Sequence, residues 1–246
     1  MSQPADHPAR SMDQVRAAVS SAIRDEDPDV DPLVRVCRAC VALLPVDGAS
    51  MSVISGTRHR ETLFASDEVM ARVESVQFTL GEGPCFEAFA TRRPVLVPDL
   101  PHALAQRWPA FASEIADQPI GAIFAFPIQS GAITIGAMDM YRREPGLLTT
   151  AELATALRVV DVAAMALVGA SSDGQGSDID LDSLAPLRRD RAEVHQATGM
   201  VISHLGVSPE QALARLRGYA FATGRPIEDV ARDIVTHRLP LDTTDM

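Results

Sequence analysis

The sequence predicts an α+β fold, an antiparallel sheet with flanking helices, followed by a small all-α unit of three helices. Three observations carry that prediction. Near the N-terminus apolar residues recur at spacings of three and four; the period then shortens to about two over short runs; beyond a Gly/Ser-rich stretch only helical spacing returns.

The chain has 246 residues, 46% hydrophobic and 22% charged, which is apolar enough to offset chain entropy and long enough for two domains. Fifteen glycines exclude a collagen-like chain. Met1 to Arg10 carries neither the basic start nor the apolar core of a secretory signal. The most apolar long stretch, Leu153 to Val168, is interrupted by Arg158 and Asp161, so no membrane span is expected and the expected location is the cytoplasm. Three cysteines, Cys37, Cys40 and Cys85, make no disulfide framework and fit a reducing compartment.

The elements follow in order. Residues 1–11 read as a disordered tail. Met12, Val15, Val19 and Ala22 define an amphipathic helix over Met12 to Arg24 with a coiled-coil-like seam. Asp31 can cap a second helix with Pro32 in its first turn, and Leu33, Val36, Cys37, Cys40, Val41 and Leu44 line its apolar face until Pro45. Strand-like runs follow at Ala49 to Ser55, Thr62 to Ala65, Val95 to Val97, Ala122 to Ile128 and Ala132 to Tyr141. The last two flank Gln129-Ser130-Gly131 and read as an antiparallel hairpin. A helix from Ser66 and the segment Leu80-Gly81-Glu82-Gly83-Pro84-Cys85 lie between the second and third runs.

Thr149 with Glu152 makes a capping-box signature, and Leu153, Leu157, Val160, Ala164 and Leu167 continue it as a seamed helix. The first domain is thus bounded at 12–168. Residues 169–186, rich in Gly, Ser and Asp, read as a flexible linker. Three helices follow within 187–240. The first carries Val194, Ala197, Val201 and Leu205 on one face and stops at Gly206. The second is capped by Ser208 with Gln211 and stops at Gly224. The third opens at Pro226 and stops by Pro240.

Charge divides the chain. Residues 187–246 hold eight arginines against eight acids, so the whole net charge of −11 belongs to residues 1–186, a field that repels polyanions. Any nucleic acid would meet the C-terminal part.

Val194-His195-Gln196-Ala197-Thr198-Gly199-Met200-Val201, Ser208-Pro209-Glu210-Gln211-Ala212, Leu216-Arg217-Gly218-Tyr219-Ala220 and Asp229-Val230-Ala231 resemble the ANTAR domain in order and spacing. The resemblance implies an RNA-binding transcription antiterminator that holds paired hairpin loops in a leader transcript, usually as a homodimer. Thr198 stands where many of that family carry Lys after the QA dipeptide, which removes a phosphate-seeking charge. The region from about 30 to 168, with Gly-Glu-Gly-Pro-Cys, Val97-Pro98-Asp99-Leu100 and Trp108-Pro109, resembles a GAF domain of the type found beside ANTAR in actinobacterial regulators. That resemblance implies the sensor fold and leaves the signal open, a small-molecule effector included.

For RNA, Arg188, Arg189 and Arg191 would supply electrostatic attraction, and Arg217 and Arg225 could engage phosphate. His195, Gln196 and Thr198 offer polar contacts, Gly199 permits close approach, and Tyr219 can stack or pack. Gly83, Cys85 and Phe86 are the expected wall of the sensor pocket, with Cys85 placed where a helix N-terminus lowers a thiol pKa. Cys37 and Cys40 form C-x-x-C, but spacing of three on an apolar helix face is what core positions require, and no second ligand pair completes a metal set. No Walker loop, dinucleotide fingerprint or catalytic triad is present, so a regulator with no resident cofactor is expected. Two other readings stand beside it. One is a thiol enzyme like the GAF proteins that reduce free methionine sulfoxide; the other is a ligand-binding protein whose ANTAR unit makes only protein contacts.

Overall fold

The computed structural model describes residues 30–55, 59–171 and 192–241, together with residues 17, 20 and 21. The tail over 1–11, most of the helix over Met12–Arg24, and the linker beyond 171 with Arg188, Arg189 and Arg191 lie outside the described residues; positions 17, 20 and 21 are helical.

Helix α1 (Pro32–Leu43) opens as its sequence asks, with Asp31 accepting from the Leu33 N–H at 2.7 Å and Pro32 in the first turn. Strands β1 (Gly48–Ser55) and β2 (His59–Ala65) follow, then helices α2 (Glu68–Leu80) and α3 (Pro84–Thr91). After β3 (Val95–Val97) come two short helices that periodicity did not reveal, α4 (Leu100–Arg107) and α5 (Pro109–Glu114). The hairpin of β4 (Ala122–Ser130) and β5 (Ile133–Arg142) leads to α6 (Thr150–Ser171). The five strands form one sheet in the order β2-β1-β5-β4-β3, every neighbouring pair antiparallel. β4 continues through Ser130, which pairs with Ile133, so the tight turn centres on Gly131 at φ 59° and Ala132, not on Gln129 to Gly131.

The sheet is covered on both faces. Met51, Phe124, Phe126, Met138 and Met140 point to α1 and α6, where Cys37 and Cys40 complete the layer. Met70, Val73, Phe111, Ile123 and Tyr141 fill the layer under α2 to α5. Phe124 and Phe126 are fully buried, each contributing about 1.5–3 kcal/mol of transfer free energy. The capping box at Thr149 and Glu152 is formed, and α6 runs to Ser171, three residues beyond the boundary expected at 168. Of its seam, Val160, Ala164 and Leu167 are buried within the sensor, whereas Leu157 is exposed. Packing inside the chain therefore takes up most of that apolar stripe.

The C-terminal module consists of α7 (Ala192–Leu205), α8 (Pro209–Thr223) and α9 (Ile227–Val235). Ser208 and Gln211 form the reciprocal capping box, and Gly206 and Gly224 adopt the left-handed conformation that ends their helices, at φ 64° and 61°. Val194, Ala197, Val201, Leu216, Ile227 and Ile234 build its core. Leu205, expected on the same face, is exposed. One member of this core comes from elsewhere: Phe78, near the end of α2, is 1% exposed and belongs to the module's apolar cluster.

Candidate nucleic-acid interface

The expected RNA contacts fall into two sets. On α7, Gln196 and Gly199 are exposed and lie three residues apart on one face. A Cβ at Gly199 would meet nothing within 4 Å, so close approach from outside is unobstructed. His195 and Thr198 are half-buried beside them. The Thr198 hydroxyl donates to the Val194 carbonyl at 2.7 Å, so the proton expected for a loop base is engaged inside the helix and its oxygen is left as an acceptor. Tyr219 of α8 is half-buried and packs on the module core.

The second set faces inward. Arg217, expected at a phosphate, is 7% exposed; its guanidinium carbon lies 5.2 Å from the centroid of the Phe78 ring. Gly81 makes room for it. This residue ends α2 in the left-handed conformation at φ 68°, and a Cβ there would sit 3.1 Å from Arg217 Nη1. Ser75 of α2 points its hydroxyl at the Glu228 carboxylate of α9, 3.4 Å away. Arg225 lines a cleft between module and sensor with Arg72, Leu80, Glu114 and Phe221. It bonds Asp233 at 2.6 Å, and that hydrogen bond is the first cause holding the Asp233 carboxyl below its ordinary range and raising Arg225 above its own. Arg232 is likewise paired, with Glu193 at 3.1 Å and Asp229 at 2.8 Å. In this arrangement Arg217 is buried against the sensor, whereas Arg225 is paired with Asp233 and keeps 37% of its side chain exposed.

The sensor residues cluster but are packed. Cys85 is 0% exposed, packed among Ile54, Ala137, Phe86 and Phe89. Its backbone N–H donates to Gln77 Oε1 at 2.9 Å, and Gly83 at φ 131° lets Gln77 approach, since a Cβ there would fall 2.7 Å from that oxygen. Burial is the main cause pushing the thiols of Cys37 and Cys40 well above their ordinary values, which suppresses the thiolate that nucleophilic or metal chemistry needs. No group of metal-ligating side chains forms among the described residues.

Sequence reasoning missed the residues that join the two parts. Phe78 reads as an ordinary core aromatic, and nothing in its spacing says which core it fills. Glu74 reads as a solvated helix charge, yet it is 1% exposed and accepts from Ser50, Ser52 and Thr62. The serines alternating along β1 were the one available signal.

Comparison with known proteins bears on both parts. Residues 32–168 match the family model of the GAF domain, and residues 187–235 match that of the ANTAR domain. No curated protein matches the chain. Among solved structures it is similar to the GAF domain of the Acinetobacter phosphoenolpyruvate-protein phosphotransferase, at 12% identity and a TM-score of 0.51, covering 66% of this chain and 96% of that one. It is similar to the corresponding GAF domain from Coxiella burnetii, at 16% identity and a TM-score of 0.50, covering 68% and 99%. A free methionine-R-sulfoxide reductase from Neisseria meningitidis, in complex with its substrate, aligns at 14% identity and a TM-score of 0.49, covering 71% and 98%. The likenesses to the two phosphotransferase GAF domains concern the fold alone. No described helix is long and apolar enough to cross a membrane. With a five-stranded antiparallel sheet under flanking helices and the helical module behind it, the chain belongs to the GAF domain family, as a GAF and ANTAR domain-containing protein.

Proposed function

We propose that the protein is a signal-responsive transcription antiterminator whose sensor domain controls how the ANTAR domain is presented to RNA hairpin loops. A sensor domain joined to an RNA-binding antiterminator domain is the arrangement of a regulator. The observation that carries the finer reading is Arg217, which lies against the sensor at 7% exposure while Gln196 and Gly199 stay open on α7. Occlusion is therefore partial: the sensor covers one side of the module and leaves the other to an incoming loop. A net negative sensor adjoining that module adds long-range repulsion of phosphate. The working form is a homodimer in the cytoplasm that brings two modules to two loops, and a small-molecule effector of the sensor sets the exchange. Residues 12–168, 169–186 and 187–240 serve as sensor, tether and output.

Binding of the full chain to an RNA with two tandem hairpins, compared with random oligonucleotides of equal length at low salt, tests the reading. Preference for the hairpins is expected, reduced across all targets by charge reversal at Arg188 and Arg189. Equal binding to both RNAs overturns it.

A further inference from the structure

Helix α2 carries different business on two adjoining stripes. Residues on a helix advance by about 100° per position, so the stripe of Ser75 and Phe78 is offset by about 100° from the stripe of Glu74 and Gln77, with Phe78 one turn after Glu74. The first pair faces the interior of the sensor. Glu74 accepts three hydroxyl hydrogen bonds, from Ser50 at 2.8 Å, Ser52 at 2.5 Å and Thr62 at 2.8 Å. Gln77, 0% exposed, donates through Nε2 to Asp139 at 2.7 Å and accepts the Cys85 N–H at 2.9 Å. Five directional bonds thus tie α2 to β1, β2, β5 and the start of α3.

The second pair faces the output domain. Phe78 fills a place in the ANTAR core, Arg217 lies over its ring, and Ser75 meets Glu228. Apolar packing tolerates small slides, whereas buried hydrogen bonds to a carboxylate and a carboxamide hold distance and angle within narrow limits. The position of Phe78 is consequently set by bonds made on the adjoining stripe of its own helix, among them those of Glu74 one turn earlier.

We propose that α2 is the coupling element between sensor interior and output domain. The Glu74 and Gln77 bonds hold the helix at the rotation that keeps Phe78 beneath Arg217, and an event that remakes those bonds releases the ANTAR domain. This deepens the reading of the protein as a sensor-controlled RNA binder and rests on it. The release step itself involves only protein groups, so it can be read without RNA.

Hydrogen exchange on the full chain tests it, with Phe78→Ala as the released reference. In Gln77→Met, which keeps the volume and removes the bonds to Asp139 and Cys85, amides of residues 213–221 are expected to exchange at least about tenfold faster than in the wild type, toward the Phe78→Ala rate. Amides of 122–142 in the hairpin are expected to keep their protection. Wild-type protection of 213–221 in Gln77→Met overturns the proposal. Should hairpin protection fall as well, Ser50→Ala, which removes a single hydroxyl from Glu74, replaces it under the same criterion. The RNA reading is scored separately on the released reference. A Phe78→Ala protein that exchanges freely at 213–221 yet shows no hairpin preference defeats the RNA reading and leaves the coupling intact.

Discussion

The guanidinium of Arg217 stacks over the ring of Phe78 at 5.2 Å, joining the second helix of the ANTAR domain to a helix of the GAF domain. A planar, weakly hydrated cation suits that place, between an aromatic face and the bare Cα of Gly81. Lysine offers a compact and strongly hydrated charge instead. Arg217→Lys is therefore expected to lower the stability of the full chain by about 0.5–2 kcal/mol in urea unfolding. Unchanged stability would show that the stacked geometry contributes nothing.

Gly199 sits within α7 with open space around it, and a helix-interior glycine costs roughly 0.5–1 kcal/mol relative to alanine. Gly199→Ala should raise the melting temperature. Gly199→Glu should leave folding near the wild type, because the side chain projects into solvent, while removing hairpin binding through bulk and like charge. A glutamate variant that binds the hairpins as the wild type does would place the loop elsewhere.

Burial raises the Cys37 and Cys40 thiols in the folded state, so the unfolded chain loses these protons at lower pH than the folded one. Their contribution to stability is intact below the unfolded thiol value, about 8.5, and is lost as pH climbs from there toward the folded values. Unfolding free energy measured between pH 7 and 10 should decline more steeply for the wild type than for a Cys37→Ala/Cys40→Ala protein. A disulfide reagent at pH 8 should reach these thiols only as fast as the domain opens; immediate reaction would contradict their burial.

Gly136 of β5 pairs with Val53 of β1, and a Cβ there would lie 2.0 Å from the Ser52 carbonyl oxygen. Backbone cannot yield as a flexible side chain can. Gly136→Ala should destabilise the sensor by about 1–3 kcal/mol or more, the usual cost of overpacking, and thermal melting followed by circular dichroism reads it. A wild-type melt would mean the two central strands part at small cost.

What could be read from the sequence was local. The capping box at Ser208 and Gln211, the terminating Gly206 and Gly224, and the hairpin around Gly131 each depend on residues a few positions apart. The stripe holding Cys37 and Cys40 was equally legible, since burial follows from helical spacing. The short helices α4 and α5 escaped because six to eight residues hold too few turns for a period to emerge. On the candidate interface, Gln196 and Gly199 are exposed on α7, whereas Arg217 is buried and Arg225 is half-buried beside Asp233. An arginine on a helix carries no sign of whether a phosphate or an aromatic ring will face it. The polar set around Glu74 was hidden for a related reason: serines alternating along a strand look like a solvated face until a distant carboxylate arrives to accept from them.

By lending Phe78 to the hydrophobic cluster of the helical module, the sensor makes the two halves share one interior. Heat should then melt them as a joint cooperative event, giving a single calorimetric endotherm, and replacing that one ring with a small side chain should split the trace into two. A tether this loose in composition would, by itself, have produced two independent transitions from the start.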